Sequence, residues 1–69
     1  MREDAIDEYR AALALAPSNQ FALRNLSLIY EEKRRFAPAR SLVQKLLGLN
    51  PNDASIREQA KRLSTALWD

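Results

Sequence analysis

The chain has 69 residues, with 11 Lys and Arg against 9 Asp and Glu for a net charge of +2, a single Gly, and neither Cys nor His. That length bounds it to one small domain, 1–69, whose core is marginal unless packing is good or a partner helps. The composition excludes a disulfide framework, the usual zinc ligands and a glycine-rich phosphate loop, and the charge is too small to imply a nucleic-acid partner by itself.

The first helix is expected over 2–16. Glu3, Asp4, Asp7 and Glu8 fill its opening turns, where negative charge complements the helix dipole. Ile6, Tyr9, Leu13 and Ala16, with Ala5 and Ala12 alongside, follow the helical period, and alanines at 5, 11, 12, 14 and 16 favour helix further. Pro17 disfavours helix at Ala16 and ends the segment. Ser18 or Asn19 supplies the next N-cap. The second helix runs to Glu32 or Lys33 with an apolar stripe of Ala22, Leu23, Leu26, Ile29 and Tyr30. Lys33, Arg34 and Arg35 follow, where cations suit the end of the dipole; that explains the basic run without a nucleic-acid patch.

Pro38 is tolerable only in a first turn, so the third helix begins at Phe36 or Ala37. Ala39, Leu42, Val43, Leu46, Leu47 and Leu49 carry its apolar face, Gly48 and Asn50 loosen its end, and Pro51 finishes it. Asn52 or Asp53 caps the fourth helix, with Ser55 and Glu58 as a rival capping box. Its stripe is Ile56, Ala60, Leu63 and Leu67, with Arg57, Lys61 and Arg62 off it. Trp68 either frays with the chain end or folds back over the last layer. Four helices joined by short links make an all-α chain of antiparallel neighbours.

Pro17 and Pro51 stand 34 residues apart, as do Ala5 and Ala39, Leu13 and Leu47, and Leu15 and Leu49. A period of this size marks stacked helical repeats. Residues 20–53 carry Leu23, Leu26-Ser27 and Tyr30, then Ala39, Val43 and Pro51. That run resembles the tetratricopeptide repeat (TPR), a 34-residue helix–turn–helix unit with the pattern W-x2-L-G-x2-Y, A-x3-F and P. Residues 2–17, with Ala5, Tyr9, Ala12 and Pro17, look like the second helix of a partial repeat. Leu23 stands for the Trp, Ser27 for the Gly and Val43 for the Phe; Arg34 stands where a Gly often opens the turn. The fourth helix, within 53–68, has Arg57, Ala60, Lys61 and Ser64 at the signature positions and looks like a capping helix.

The resemblance implies an α-solenoid of antiparallel helix pairs and a protein-binding role. Phe21 and Leu28 lie seven residues apart on one line, off the Leu23–Tyr30 face, and either pack against neighbouring helices or stay open. In the resemblance this line, flanked by Arg24, Asn25, Glu31 and Glu32, faces a concave groove, and the matching positions of the fourth helix include Ser55, Gln59 and Arg62. The expected partner is a peptide or a helix of another protein with apolar anchors, held in that groove or on the N-terminal edge. The Ala5, Tyr9 and Ala12 face would meet an upstream repeat or a second copy in a homodimer. A purely structural end-cap or self-association element is the alternative. No nucleic acid, membrane or small-molecule substrate is expected.

Nucleophile, base and orienting group are hard to assemble here: the bases left are carboxylates and Lys, and the Ser41–Lys45 pair comes without oxyanion donors. The expectation is no enzyme activity and no cofactor. No apolar run reaches the length of a membrane span, and Met1-Arg2-Glu3-Asp4 is acidic where a signal peptide would be basic, so the expected compartment is cytoplasmic by default.

Overall fold

The structure, a computed structural model, describes residues 2–68, and the side chains of residues 5–66. The expectations for the side chains of Glu3, Asp4, Leu67 and Trp68 lie outside the described residues. Four helices follow one another: α1 (Arg2–Leu15), α2 (Gln20–Glu32), α3 (Phe36–Leu49) and α4 (Ala54–Trp68). α1 packs on α2, α2 on α3 and α3 on α4. Links of three or four residues turn each helix back on its predecessor. The Cα trace spans 28 × 25 × 14 Å, a slab thin enough to leave every helix an open side.

Each corner has a different lock. α1 stops at Leu15, one residue short of the expected end, and the N–H of Ala16 still donates to the Ala12 carbonyl at 2.8 Å. Asn19, not Ser18, caps α2: its Oδ1 accepts from the Ala22 N–H at 3.2 Å. At the far end of α2, Lys33 is the C-cap and Arg34 takes φ 63°. The Arg35 N–H reaches back to the Tyr30 carbonyl at 2.8 Å and the Arg34 N–H to Glu31 at 3.0 Å, the paired bonds of a Schellman closure. Arg34 therefore occupies the left-handed site that glycine fills at least cost, about 1–2 kcal/mol more favourably than an L-residue with a Cβ.

α3 begins at Phe36 without a side-chain cap, and Pro38, its third residue, sits where no helical N–H bond is required. The helix runs through Gly48 to Leu49. Gly48 keeps an ordinary negative φ with open space where a Cβ would stand, so it does not loosen the helix end. Asn50 closes the helix, its backbone N–H donating to the Leu46 carbonyl at 2.8 Å. Asp53 caps α4, with Oδ1 accepting from the N–H groups of Ser55 at 2.9 Å and Ile56 at 3.2 Å. That replaces both Asn52 and the Ser55–Glu58 box: two donors on one carboxylate leave the box no orphan to satisfy.

The core lies where α2, α3 and α4 meet. Leu23, Ala39, Val43, Leu46, Ile56 and Leu63 are buried together, with Leu13, Tyr30, Phe36, Leu42, Leu47 and Ala60 packed around them. Ile6, Ala22 and Leu26 are also buried. The spacing that predicted these stripes holds on each helix, with three differences. Ala16, expected on the first stripe, lies just past the end of α1 and is exposed. Leu15 and Leu49, one of the pairs at the 34-residue offset, are both exposed, because they stand at helix ends beyond the packed turns. Ser27 and Gln59 are buried polar residues within the core-facing surfaces of α2 and α4.

Candidate functional site

Most residues singled out on the α2 groove line lie along α2 and the facing surface of α4, and hydrogen bonds join several of them. Arg24 donates from Nη2 to Ser55 Oγ at 2.9 Å. One turn on, Gln59 Nε2 donates to Ser27 Oγ at 3.1 Å, and Ser27 Oγ donates to the Arg24 carbonyl at 2.8 Å. A further turn on, Arg62 grips Glu31 through two bonds, Nε to Oε2 at 2.6 Å and Nη2 to Oε1 at 3.0 Å. Gln59 also reaches Glu31 Oε1 at 3.4 Å. Six side chains, three of α2 and three of α4, thereby become two fixed rails. A paired fork of this kind is stronger than a neutral bond and sets the geometry of both planes.

Gln59 is the departure from an open face. It is only 5 % exposed, and Ser27 beneath it is fully buried, so this glutamine is a rivet between helices rather than a contact surface. Every buried side-chain polar atom among the described residues has a partner. Ser27 is not among the residues expected on the groove; the signal for it is its place four residues after Leu23 on the core stripe, where a hydroxyl has to find an acceptor and a donor. Asn25 folds back along its own helix, its Nδ2 donating to the Phe21 carbonyl at 2.8 Å. Asn50 Nδ2 meets Gln20 Oε1 at 2.8 Å and ties the α3–α4 corner to the start of α2.

The apolar line stays open. Phe21 is 70 % exposed and Leu28 44 %, while Leu23 and Leu26 between them are buried. Tyr9 of α1 meets Phe21 edge to face, with ring centroids 6.0 Å apart and planes at 67°, a favoured aromatic geometry. Tyr9, expected on a separate N-terminal face with Ala5 and Ala12, thus also borders the α2 line; all three are half-buried. Glu32 is exposed on α2 beyond Leu28.

Electrostatically the Glu31–Arg62 pair dominates. The hydrogen bonds from Arg62 hold the Glu31 carboxyl below its ordinary value of 4.5, against the opposing effect of burial, and the Arg62 charge and Gln59 add to the lowering. The same bond from Glu31 raises the Arg62 guanidinium. Because Glu31 titrates lower in the folded than in the unfolded chain, its contribution is complete above the unfolded value and disappears as pH falls through the folded one. Arg62 is 58 % exposed, so solvent screening holds the pair to about 1 kcal/mol or less. Acid melts of the native chain are therefore expected to lose stability that Glu31→Gln has already lost. The two melting curves converge below the folded Glu31 value; parallel curves across the acid range would remove the pair from the stability of the fold.

Among the described residues no group of three or more Asp and Glu side chains is placed to hold a metal ion, and no helix is long and apolar enough to cross a membrane. Compared with protein-family models, with curated proteins and with solved structures, the chain finds no match in any of the three.

Proposed function

We propose that the chain is a protein-binding module of the tetratricopeptide-repeat kind, holding a peptide or partner helix along the open line of α2. The observation that carries this reading is the pair Phe21 and Leu28, large apolar side chains left open beside a core that buries Leu23 and Leu26. Burying a Phe and a Leu yields about 1.5–3 kcal/mol each, before ordering and association costs are subtracted. Two such anchors over two helical turns match a partner that presents apolar side chains at i and i+7. The rails beside them are already paired, so a ligand meets a pre-ordered surface and the receptor loses little freedom on binding. In this reading the helix pair α2–α3 is a repeat, α1 the second helix of another, and α4 the cap of an α-solenoid. No step of it requires catalysis or a cofactor. The alternative role is a structural end-cap or a self-association element, the latter through the half-buried Ala5, Tyr9 and Ala12 of α1.

Leu28→Glu tests the groove. The variant is expected to keep its helical circular dichroism and to melt within about 0.5 kcal/mol of the native chain, as surface changes do. A partner recovered by pull-down with the native chain should be lost. Unfolding would return Leu28 to the core, and undiminished capture would move the binding face elsewhere.

A further inference from the structure

The 34-residue offset relates not only α1 to α3 but also their surroundings, and there the match is incomplete. Ala39, Val43 and Leu46 of α3 are fully buried because α3 packs against both α2 and α4. The residues 34 positions earlier are Ala5, Tyr9 and Ala12 of α1. These are only half-buried, since α1 packs on α2, the counterpart of α4, while the place corresponding to α2 is open. α4 shows the opposite deficiency. It is the counterpart of α2, and where α2 carries α3, α4 presents a shallow groove. Leu47, Pro51 and Ala60 line it together with Arg57, Lys61 and Ser64.

The two open sides carry opposite charge at matching positions. Helix α1 holds four acids and two arginines, a net charge of −2; helix α4 holds three cations and one acid, a net charge of +2, of which Arg57 and Lys61 line the groove while Arg62 is paired with Glu31. Inside the chain, Leu23 of α2 and Leu42 of α3 belong to the same apolar core. Thirty-four residues after Leu23 stands Arg57, and 34 before Leu42 stands Glu8, both exposed. Leucines at the internal interface are thus replaced by a cation at one end of the slab and an acid at the other.

We propose that these two surfaces are halves of one interface: α1 of a second copy docks on α4 in the place that α3 takes on α2, setting Asp7 and Glu8 against Arg57 and Lys61. The proposal rests on the 34-residue offset and not on the Phe21–Leu28 groove. Such a contact is heterologous, each copy offering one end and accepting at the other, so it propagates head to tail instead of closing as a pair. Its apolar share is modest, and complementary charge selects the register. Association is therefore concentration-dependent and weakens as salt screens the exposed charges.

Sedimentation velocity on the full chain, over rising concentration at low and at high salt, provides the test. The native chain is expected to grow past the dimer at low salt and to return toward monomer at high salt. Two charge-reversed variants separate the halves: Asp7→Lys with Glu8→Lys, and Arg57→Glu with Lys61→Glu. Each alone should associate at least about 10-fold more weakly, and an equal mixture should associate again. All four positions are exposed, and circular dichroism reports whether each variant keeps its helices. If a reversal unfolds, the neutral set (Asn, Gln) replaces it, and the same weakening is expected of each neutral variant alone. A native chain of monomer mass at every concentration overturns the proposal. So does self-association retained by either variant, which would mean α1 pairs with α1 or α4 with α4, and so does a mixture of reversed variants that stays monomeric. Leu28 lies in neither surface, so Leu28→Glu should leave this association intact, and the two readings fail separately.

Discussion

Leu26→Asp is expected to unfold the chain. Leu26 is 2 % exposed, on the surface of α2 that also carries the buried Leu23 and Ala22. A carboxylate placed there meets the apolar walls of Leu13, Ala14, Tyr30 and Leu42; the one cation lining the same groove, Arg10, is solvent-exposed. An unpaired buried charge either shifts its titration far upward or abandons the fold, and either response costs several kcal/mol. A domain of this length holds only about 3–10 kcal/mol in total. Far-ultraviolet circular dichroism at neutral pH should show most helix lost. Partial recovery on acidification, as the new carboxyl protonates, would identify the charge as the cause. A native-like melt at neutral pH would mean that α2 is rotated from the orientation described.

Leu63→Ala is expected to cost about 2–5 kcal/mol, the usual range for a large-to-small change in a packed core. Leu63 is fully buried and shares its cluster with Leu23 of α2 and Val43 of α3. The loss corresponds to a melting point lower by roughly 10 °C or more in a domain of this size. The shape of the transition is equally informative. If α4 is an integral part of one core, the whole helical signal falls in a single transition at the lower temperature. Were α4 an end that detaches by itself, the variant would lose its share of helix first and leave the rest at the native midpoint.

How much was legible in the sequence depended on what each residue contributed. Helix positions followed from prolines and apolar spacing because those signals are local: Pro17 and Pro51 ended segments, and Leu23, Leu26, Val43, Leu46, Ile56 and Leu63 fell on the buried sides. Gln59 did not follow, since its polarity assigned it to an open face. Its spacing carried the opposite message, three residues after Ile56 and four before Leu63, both core. What polarity could not reveal was that Ser27 waits opposite with a hydroxyl, a fact of packing between helices 32 positions apart. The choice of Asp53 over the Ser55–Glu58 box was equally non-obvious, because both motifs are sound and only the actual start of the helix separates them. Phe21 and Leu28 were left open between core and groove by the sequence, and the structure leaves both exposed. Spacing alone puts Tyr9 and Phe21 on separate faces, and their ring contact joins these.

The three corners of the chain also differ in how they would tolerate sequence drift. The entries to α2 and α4 each depend on one letter, Asn19 and Asp53, whose side-chain oxygens close the helix start. The corner between α2 and α3 is held by backbone bonds from Lys33, Arg34 and Arg35, with no side-chain cap at the start of α3, and it demands the left-handed turn at Arg34. Side chains at that corner are therefore replaceable so long as the backbone donors remain, with glycine favoured at position 34. At the other two corners only a handful of short polar residues would serve. The turn inside the hairpin α2–α3 is thus the corner of this chain that depends least on a particular side chain.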